Sequence, residues 1–311
     1  MKVLSLPIAN RAHLVASALV FVGAICFAAK AVLVKLAYRY GIDTISLLAL
    51  RMLFSLPFFI AIAIFSGRKT AKEQSKTAPP ITRKDWLHVG LLGLAGYYFA
   101  SLFDFLGLQY ISASLERLIL FIYPTLVVLI AFLVFRKKIS TAQAFALSLT
   151  YIGIVVAFLE QSLQANNAAF FKGTFFVFLS ALVYAIYLIG AGRVISHFGI
   201  WRFTSWAMIS ASTAILLHHG VLYQWRLFHF PAEVYGLVIL MAVFATVLPS
   251  FLVSEGLRTI GSNNTAIISS VSPIATIVLA RGLLAEQFTW LQWLGTLLVI
   301  SGVALTSIQK K

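Results

Sequence analysis

Five ionisable side chains, Lys30, Arg51, Asp104, Glu116 and Arg117, stand in stretches that otherwise hold almost nothing polar. Two carboxyls among three cations can do three things there. They can hold one another as ion pairs, grip a charged or zwitterionic solute, or take up and release a proton. Five tyrosines, Tyr97, Tyr98, Tyr123, Tyr184 and Tyr187, bring hydroxyls into equally apolar surroundings, where each needs a neighbouring helix or a wet cavity. Pro124 and Pro273 each remove one helical hydrogen bond and free a carbonyl, which either kinks the helix for packing or serves a solute.

Other chemistries lack their residues. The sequence holds no His-Glu-x-x-His, no Gly-x-Ser-x-Gly and no cysteine cluster, which argues against an intramembrane enzyme, a metal site or a bound cofactor. His218 and His219 are adjacent and so diverge, a poor start for a metal site. Cys26 is the single cysteine and can form no internal disulfide. A channel would need a ring of charge or a filter loop, and neither recurs along the chain.

The elements that must position these residues follow from composition. With 61% hydrophobic and 11% charged residues over 311 positions, the chain belongs in a bilayer. The long apolar runs lack the alternation of an outer-membrane barrel, so the fold class is all-α. The runs divide into ten candidate spans, about 14–34, 45–66, 87–109, 113–135, 141–159, 173–192, 203–223, 234–254, 262–281 and 289–308. Gly67 to Asp85, with Pro79-Pro80 and a basic run, reads as the one linker of soluble character. Counted at 1.5 Å per residue from the flanking loops, Arg51 and Asp104 lie about 11 Å deep, Arg117 about 7 Å and Glu116 about 6 Å. The tight turn between the third and fourth spans allows Asp104 to meet Arg117, leaving Glu116 to reach Arg51 or Lys30.

Charge sets the orientation. If both termini are cytoplasmic, sixteen of the 24 lysines and arginines fall on the inner side, as the positive-inside rule expects. Lipid headgroups suffice as partners for a net charge of +15, and no basic, aromatic stripe outside the membrane suggests nucleic acid. The first span continues past the length of a signal-peptide core and nine spans follow, so it reads as an uncleaved helix.

The chain also resembles itself. Laid without a gap at an offset of 149 residues, Gly107–Ala157 falls on Gly256–Thr306, matching Pro124 with Pro273 and Gly153 with Gly302 among nine identities. Five spans per half is an odd number, so the halves insert with opposite orientation. Arg136-Lys137-Lys138 at the inner side of the first half is replaced by Ala285-Glu286-Gln287 at the outer side of the second.

Gly90-Leu91-Leu92-Gly93-Leu94, Gly107-Leu108-Gln109-Tyr110-Ile111-Ser112-Ala113-Ser114 and Tyr123-Pro124 resemble the first repeat of the EamA transporters of the drug/metabolite transporter superfamily. Ser272-Pro273, Leu284-Ala285-Glu286 and Leu291 through Gly302 are similar to the end of the second repeat. The resemblance implies ten helices in two inverted five-helix repeats, 1–160 and 161–311, around a central cavity. It also implies export or exchange of small metabolites, such as amino acids or related amphipathic compounds, across a bacterial inner membrane. A lipid flippase would share the same fold and stands as the alternative. The pathway candidates are the five charged residues, the five tyrosines and the two prolines, with a coupling proton as a further partner. Two repeats in one chain already supply a pseudo-twofold, so a monomer is expected.

Overall fold

The computed structural model describes residues 8–73, 81–136, 140–165 and 168–308. Within them the backbone is helical and carries no strand, since a chain in lipid must satisfy its own N–H and C=O groups. In chain order come α1 (Ile8–Tyr38), α2 (Thr44–Glu73), α3 (Arg83–Gly93), a π-helical turn (Leu94–Phe99), α4 (Ala100–Leu108), α5 (Ala113–Leu120), α6 (Tyr123–Phe135) and α7 (Thr141–Ala165). Then follow α8 (Ala168–Phe198), α9 (Ile200–Tyr223), α10 (Ala232–Ala242), a second π-helical turn (Val243–Val247), α11 (Leu248–Ser269), α12 (Ser272–Leu284) and α13 (Trp290–Ile308).

Among the described residues, six helical stretches are long and apolar enough to cross a membrane: Ala12–Tyr38, Thr44–Ser66, Arg83–Leu108, Ala113–Phe135, Ala168–Gly192 and Ala232–Gly261. Gln143–Ala157, Ser272–Leu284 and Trp290–Val303 are shorter apolar helices. The helix α9 is in neither group, and it carries Arg202, three serines and His218-His219. The ten expected spans are therefore not all legible as full-length apolar helices.

Three boundaries differ from expectation. The linker drawn over Gly67 to Asp85 is shorter, because α2 runs on to Glu73 and α3 begins at Arg83 behind a capping box in which Thr82 and Asp85 satisfy each other's backbone N–H. The fourth span is broken at Phe121–Ile122, which puts Pro124 in the first turn of a new helix rather than inside an old one. The eighth and ninth spans run together in α11 across Gly261, whose φ of +78° turns the chain where a side chain would be strained.

Several backbone features repeat at the 149-residue offset. The π-helical turns begin at Leu94 and Val243, the helix starts at Tyr123 and Ser272 each carry proline next, and the left-handed ends are Arg136 (φ 52°) and Ala285 (φ 58°). Packing is reciprocal as well. The helix α1 lies on α11 and α12 of the second half, and α8 lies on α4, α5 and α6 of the first, while α2 pairs with α9 and α7 with α13. Between α7 and α13 the glycines make this close approach possible. A Cβ on Gly153 would meet the Gly295 carbonyl at 2.6 Å, and one on Gly302 would meet the Ala146 carbonyl at 2.6 Å. Lipid offers no hydrophobic drive for helix association, so such backbone contact carries much of it.

Candidate functional site

The five charged residues converge from α1, α2, α4 and α5. Lys30 Nζ donates to Asp104 Oδ2 at 2.6 Å, with the side chains 15% and 2% exposed. Glu116 is fully buried, and its carboxyl lies close to that of Asp104. Arg117 donates to the Phe27 carbonyl at 2.9 Å, and its Nε lies 3.9 Å from Glu116. Arg51, 4% exposed, donates to Ser101 Oγ at 3.1 Å and sets its guanidinium 4.8 Å from the centre of the Phe105 ring. Buried and without a protein hydrogen bond are Arg51 Nε, Asp104 Oδ1, both Glu116 carboxyl oxygens and Arg117 Nε.

The pairing differs from the one the sequence suggests. Asp104 meets Lys30 rather than Arg117, because α1 packs against both α4 and α5 and turns Lys30 toward α4 while its Phe27 carbonyl takes Arg117. Glu116 meets Asp104 and Arg117 rather than Arg51 or Lys30. Neighbouring residues on a helix diverge, yet the long arginine side chain folds back far enough to come near its own neighbour.

Four of the five tyrosines also converge. Tyr97 and Tyr187 join hydroxyls at 2.9 Å, Tyr184 stacks on Tyr187 with ring centres 5.5 Å apart, and Tyr123 meets Tyr184 edge-on at 5.1 Å. Tyr123 follows the helix break six residues after Arg117 and lies within range of its charge. Tyr98 points elsewhere, to His218 Nδ1 at 2.8 Å, while His219 reaches Ser46 at 3.1 Å. The two histidines do diverge, as adjacency on a helix requires.

Pro124 and Pro273 occupy equivalent places just after the two helix breaks. Residue 124 cannot donate to the Leu120 carbonyl, nor residue 273 to that of Ser269. Pro273 is buried and Pro124 half-buried. Both broken segments touch α1 at consecutive carbonyls, Arg117 at Phe27 and Thr276 Oγ1 at Ala28, at 2.9 and 3.1 Å.

Two cavities lie at opposite ends of α2. One, about 680 Å³, is lined by Lys35, Tyr38, Arg39, Ile42, Gln109 and Glu286 among others. The other, about 460 Å³, is lined by Ile62, Phe65, Trp201, Arg202, Glu255 and Arg258 among others. At 1.5 Å per residue, Ile42 and Ile62 are about 30 Å apart, a hydrocarbon thickness, and Arg51 lies near the midpoint.

Sequence reasoning passed over Glu286. Its carboxylate accepts from the N–H groups of Ala113 and Ser114 at 2.8 and 3.2 Å and from Ser114 Oγ at 2.6 Å, so the second half caps a helix of the first. Arg39 fastens the same end by donating to the Leu284 carbonyl at 3.3 Å. The available signal was the free N–H groups at the start of α5, which an acidic residue satisfies well.

The chain matches the EamA-like transporter family over residues 14–159 and again over 171–308. It is 30% identical over 282 residues to a protein named uncharacterized transporter YcbK from Bacillus subtilis (strain 168), covering 88% of this chain and 86% of that protein. It is 29% identical over 236 residues to an uncharacterized inner membrane transporter, YicL, from Salmonella typhimurium (strain LT2), covering 74% and 75%. One crystal structure shares the fold with a TM-score of 0.63 over 94% of this chain and 96% of that one, at 14% identity.

Proposed function

The chain belongs to the EamA-like transporter family, and from that premise we propose that it is a secondary transporter exporting or exchanging small metabolites across a bacterial inner membrane. It is a membrane transporter by family; the solute class, direction and site are the proposal. Amino acids and related amphipathic compounds are the solutes we favour, because a charged cluster beside a tyrosine group suits a small molecule with a polar head and an apolar body. The architecture we infer is ten helices in two inverted repeats, 1–160 and 161–311. The two family matches and the repeated π-helical turns, helix breaks and left-handed ends support it.

The observation that carries the reading is the position of the charged cluster between two mouths at opposite ends of α2, with Arg51 near the midpoint and the other four nearer the Lys35/Arg39 mouth. Charges in mid-membrane are costly enough that transport proteins keep them where a solute or proton passes. Facing carboxyls, Asp104 and Glu116, form a place where one proton can be held between two groups, which suits coupling to a proton gradient. In the inferred orientation the termini and the Arg202/Arg258 mouth are cytoplasmic, and the Lys35/Arg39 mouth faces outward. The protein works as a monomer in lipid.

Reconstitution into liposomes tests this. Labelled amino acids and other metabolites should enter vesicles preloaded with the same unlabelled compound, and an imposed pH gradient should change the rate. A panel moved no faster than through empty liposomes would reject the transporter reading for those solutes. Movement of labelled phospholipid between leaflets instead would favour a flippase.

A further inference from the structure

The charged cluster does not balance. It holds three cations against two carboxyls, and only Lys30 and Arg117 stand within 4.0 Å of a carboxylate. Arg51 has Ser101 and the Phe105 ring in contact, and among the described residues no carboxylate within 4.0 Å, Asp104 acting on it only from further off; its buried Nε donor is unused. A guanidinium taken out of water without a countercharge is expensive, and neither a hydroxyl nor an aromatic face replaces a carboxylate. Whatever proton Asp104 and Glu116 share, the count leaves at least one positive charge uncompensated. The geometry points to Arg51 as the anion-binding residue of the pathway, gripping the carboxylate of a monoanionic solute. This deepens the transporter reading and rests on it.

Several features agree on where that carboxylate sits. Arg117 Nε, which also makes no hydrogen bond, lies 3.9 Å from Glu116 and is matched to that carboxylate, which leaves Arg51 on α2 as the unmatched cation. A planar carboxylate has two oxygens, and one guanidinium can meet both side by side. The approach is from the outer cavity, whose lining residues Lys35, Gln109 and Ser112 lie on α1 and beside α4 and α5. They are four or five residues along the chain from Lys30, Asp104 and Glu116, about 6–8 Å where the backbone is helical. Lys35 and Arg39 make the mouth attractive to an anion, against Glu286 as its carboxylate. A dianion such as a phosphate monoester brings one charge more than the minimum surplus, so a carboxylate is the group chosen here.

The test uses four probes that share a phenyl ring and differ in headgroup, on the full chain in detergent: benzoate, phenyl phosphate, benzylamine and benzyl alcohol. Benzoate should raise the midpoint of thermal unfolding of the wild-type protein in a saturable way, as a ligand of the folded state must, and the other three should not. Arg51→Gln should abolish the benzoate shift and Arg51→Lys should keep part of it. The wild-type series needs no variant, so the proposal stays exposed even if Arg51→Gln fails to fold. Equal shifts by benzoate and benzyl alcohol, a shift by phenyl phosphate or benzylamine alone, no benzoate shift in the wild type, or a full benzoate shift in Arg51→Gln would each overturn it. Solute movement in liposomes without any anion site leaves the transporter reading standing. Benzoate binding through Arg51 with no movement of any solute does the reverse.

Discussion

Removing one member of the Lys30–Asp104 pair should damage the protein by an amount that depends on which member is removed. The contact is 2.6 Å long, and the lysine side chain is 15% exposed against 2% for the aspartate. Breaking a buried pair costs about 3–5 kcal/mol, because the survivor remains charged and out of water. Asp104→Asn leaves an ammonium whose flexible stem can carry it toward solvent, so the lower figure, about 3 kcal/mol, applies. Lys30→Met strands a carboxylate that already faces Glu116, and the upper figure, about 5 kcal/mol, applies. The combined change Lys30→Met with Asp104→Asn leaves neither charge behind and should recover most of the loss. Unfolding in detergent, followed across a denaturant series for all four proteins, gives the coupling as a double-mutant cycle. If the pair also lies on the pathway, the double variant should regain stability and not transport. Additive losses in the cycle, or Asp104→Asn costing more than Lys30→Met, would refute the burial and pairing described here.

Three further outcomes are expected. Glu286→Ala removes three hydrogen bonds from the start of α5 and should cost about 2–3 kcal/mol, with Glu286→Gln costing less because its amide oxygen still accepts; detergent unfolding reads both. Gly302→Val should cost about 3 kcal/mol or more, since its Cβ would press on the Ala146 carbonyl at 2.6 Å, while Gly282→Ala, with nothing within 4 Å, should be nearly silent. In a Cys26→Ala background, a cysteine at exposed Gln287 should react with an impermeant thiol reagent added to intact cells and one at exposed Thr82 should not. The reverse pattern would invert the orientation.

Much of the charged cluster was legible because lipid makes charge conspicuous. All five charged residues of the cluster could be named from sequence, since nothing else in those runs is charged. Their partners could not be named, because partnership depends on helix rotation and on which helix intervenes. Here α1 stands against both α4 and α5 and captures Asp104 with Lys30 and Arg117 with Phe27. Pro124 and Pro273 marked the right places, but a proline alone does not say whether a helix bends or stops. Both stop and restart. Tyr98 was grouped with its neighbours by composition, but adjacent residues on a helix diverge, so it meets His218 while Tyr97 meets Tyr187. Glu286 was missed because its target lies in the other half, 173 residues away along the chain. No local pattern encodes a contact of that range.

That the charged cluster lies on a path opening to each side in turn is tested most directly by a single cysteine at Ser101, beside Arg51. In the Cys26→Ala background it should be labelled by an impermeant methanethiosulfonate from outside in right-side-out vesicles and from the cytoplasmic face in inverted ones. A transported solute should slow both reactions. Labelling from neither face, or from one face whatever solute is present, would contradict the account.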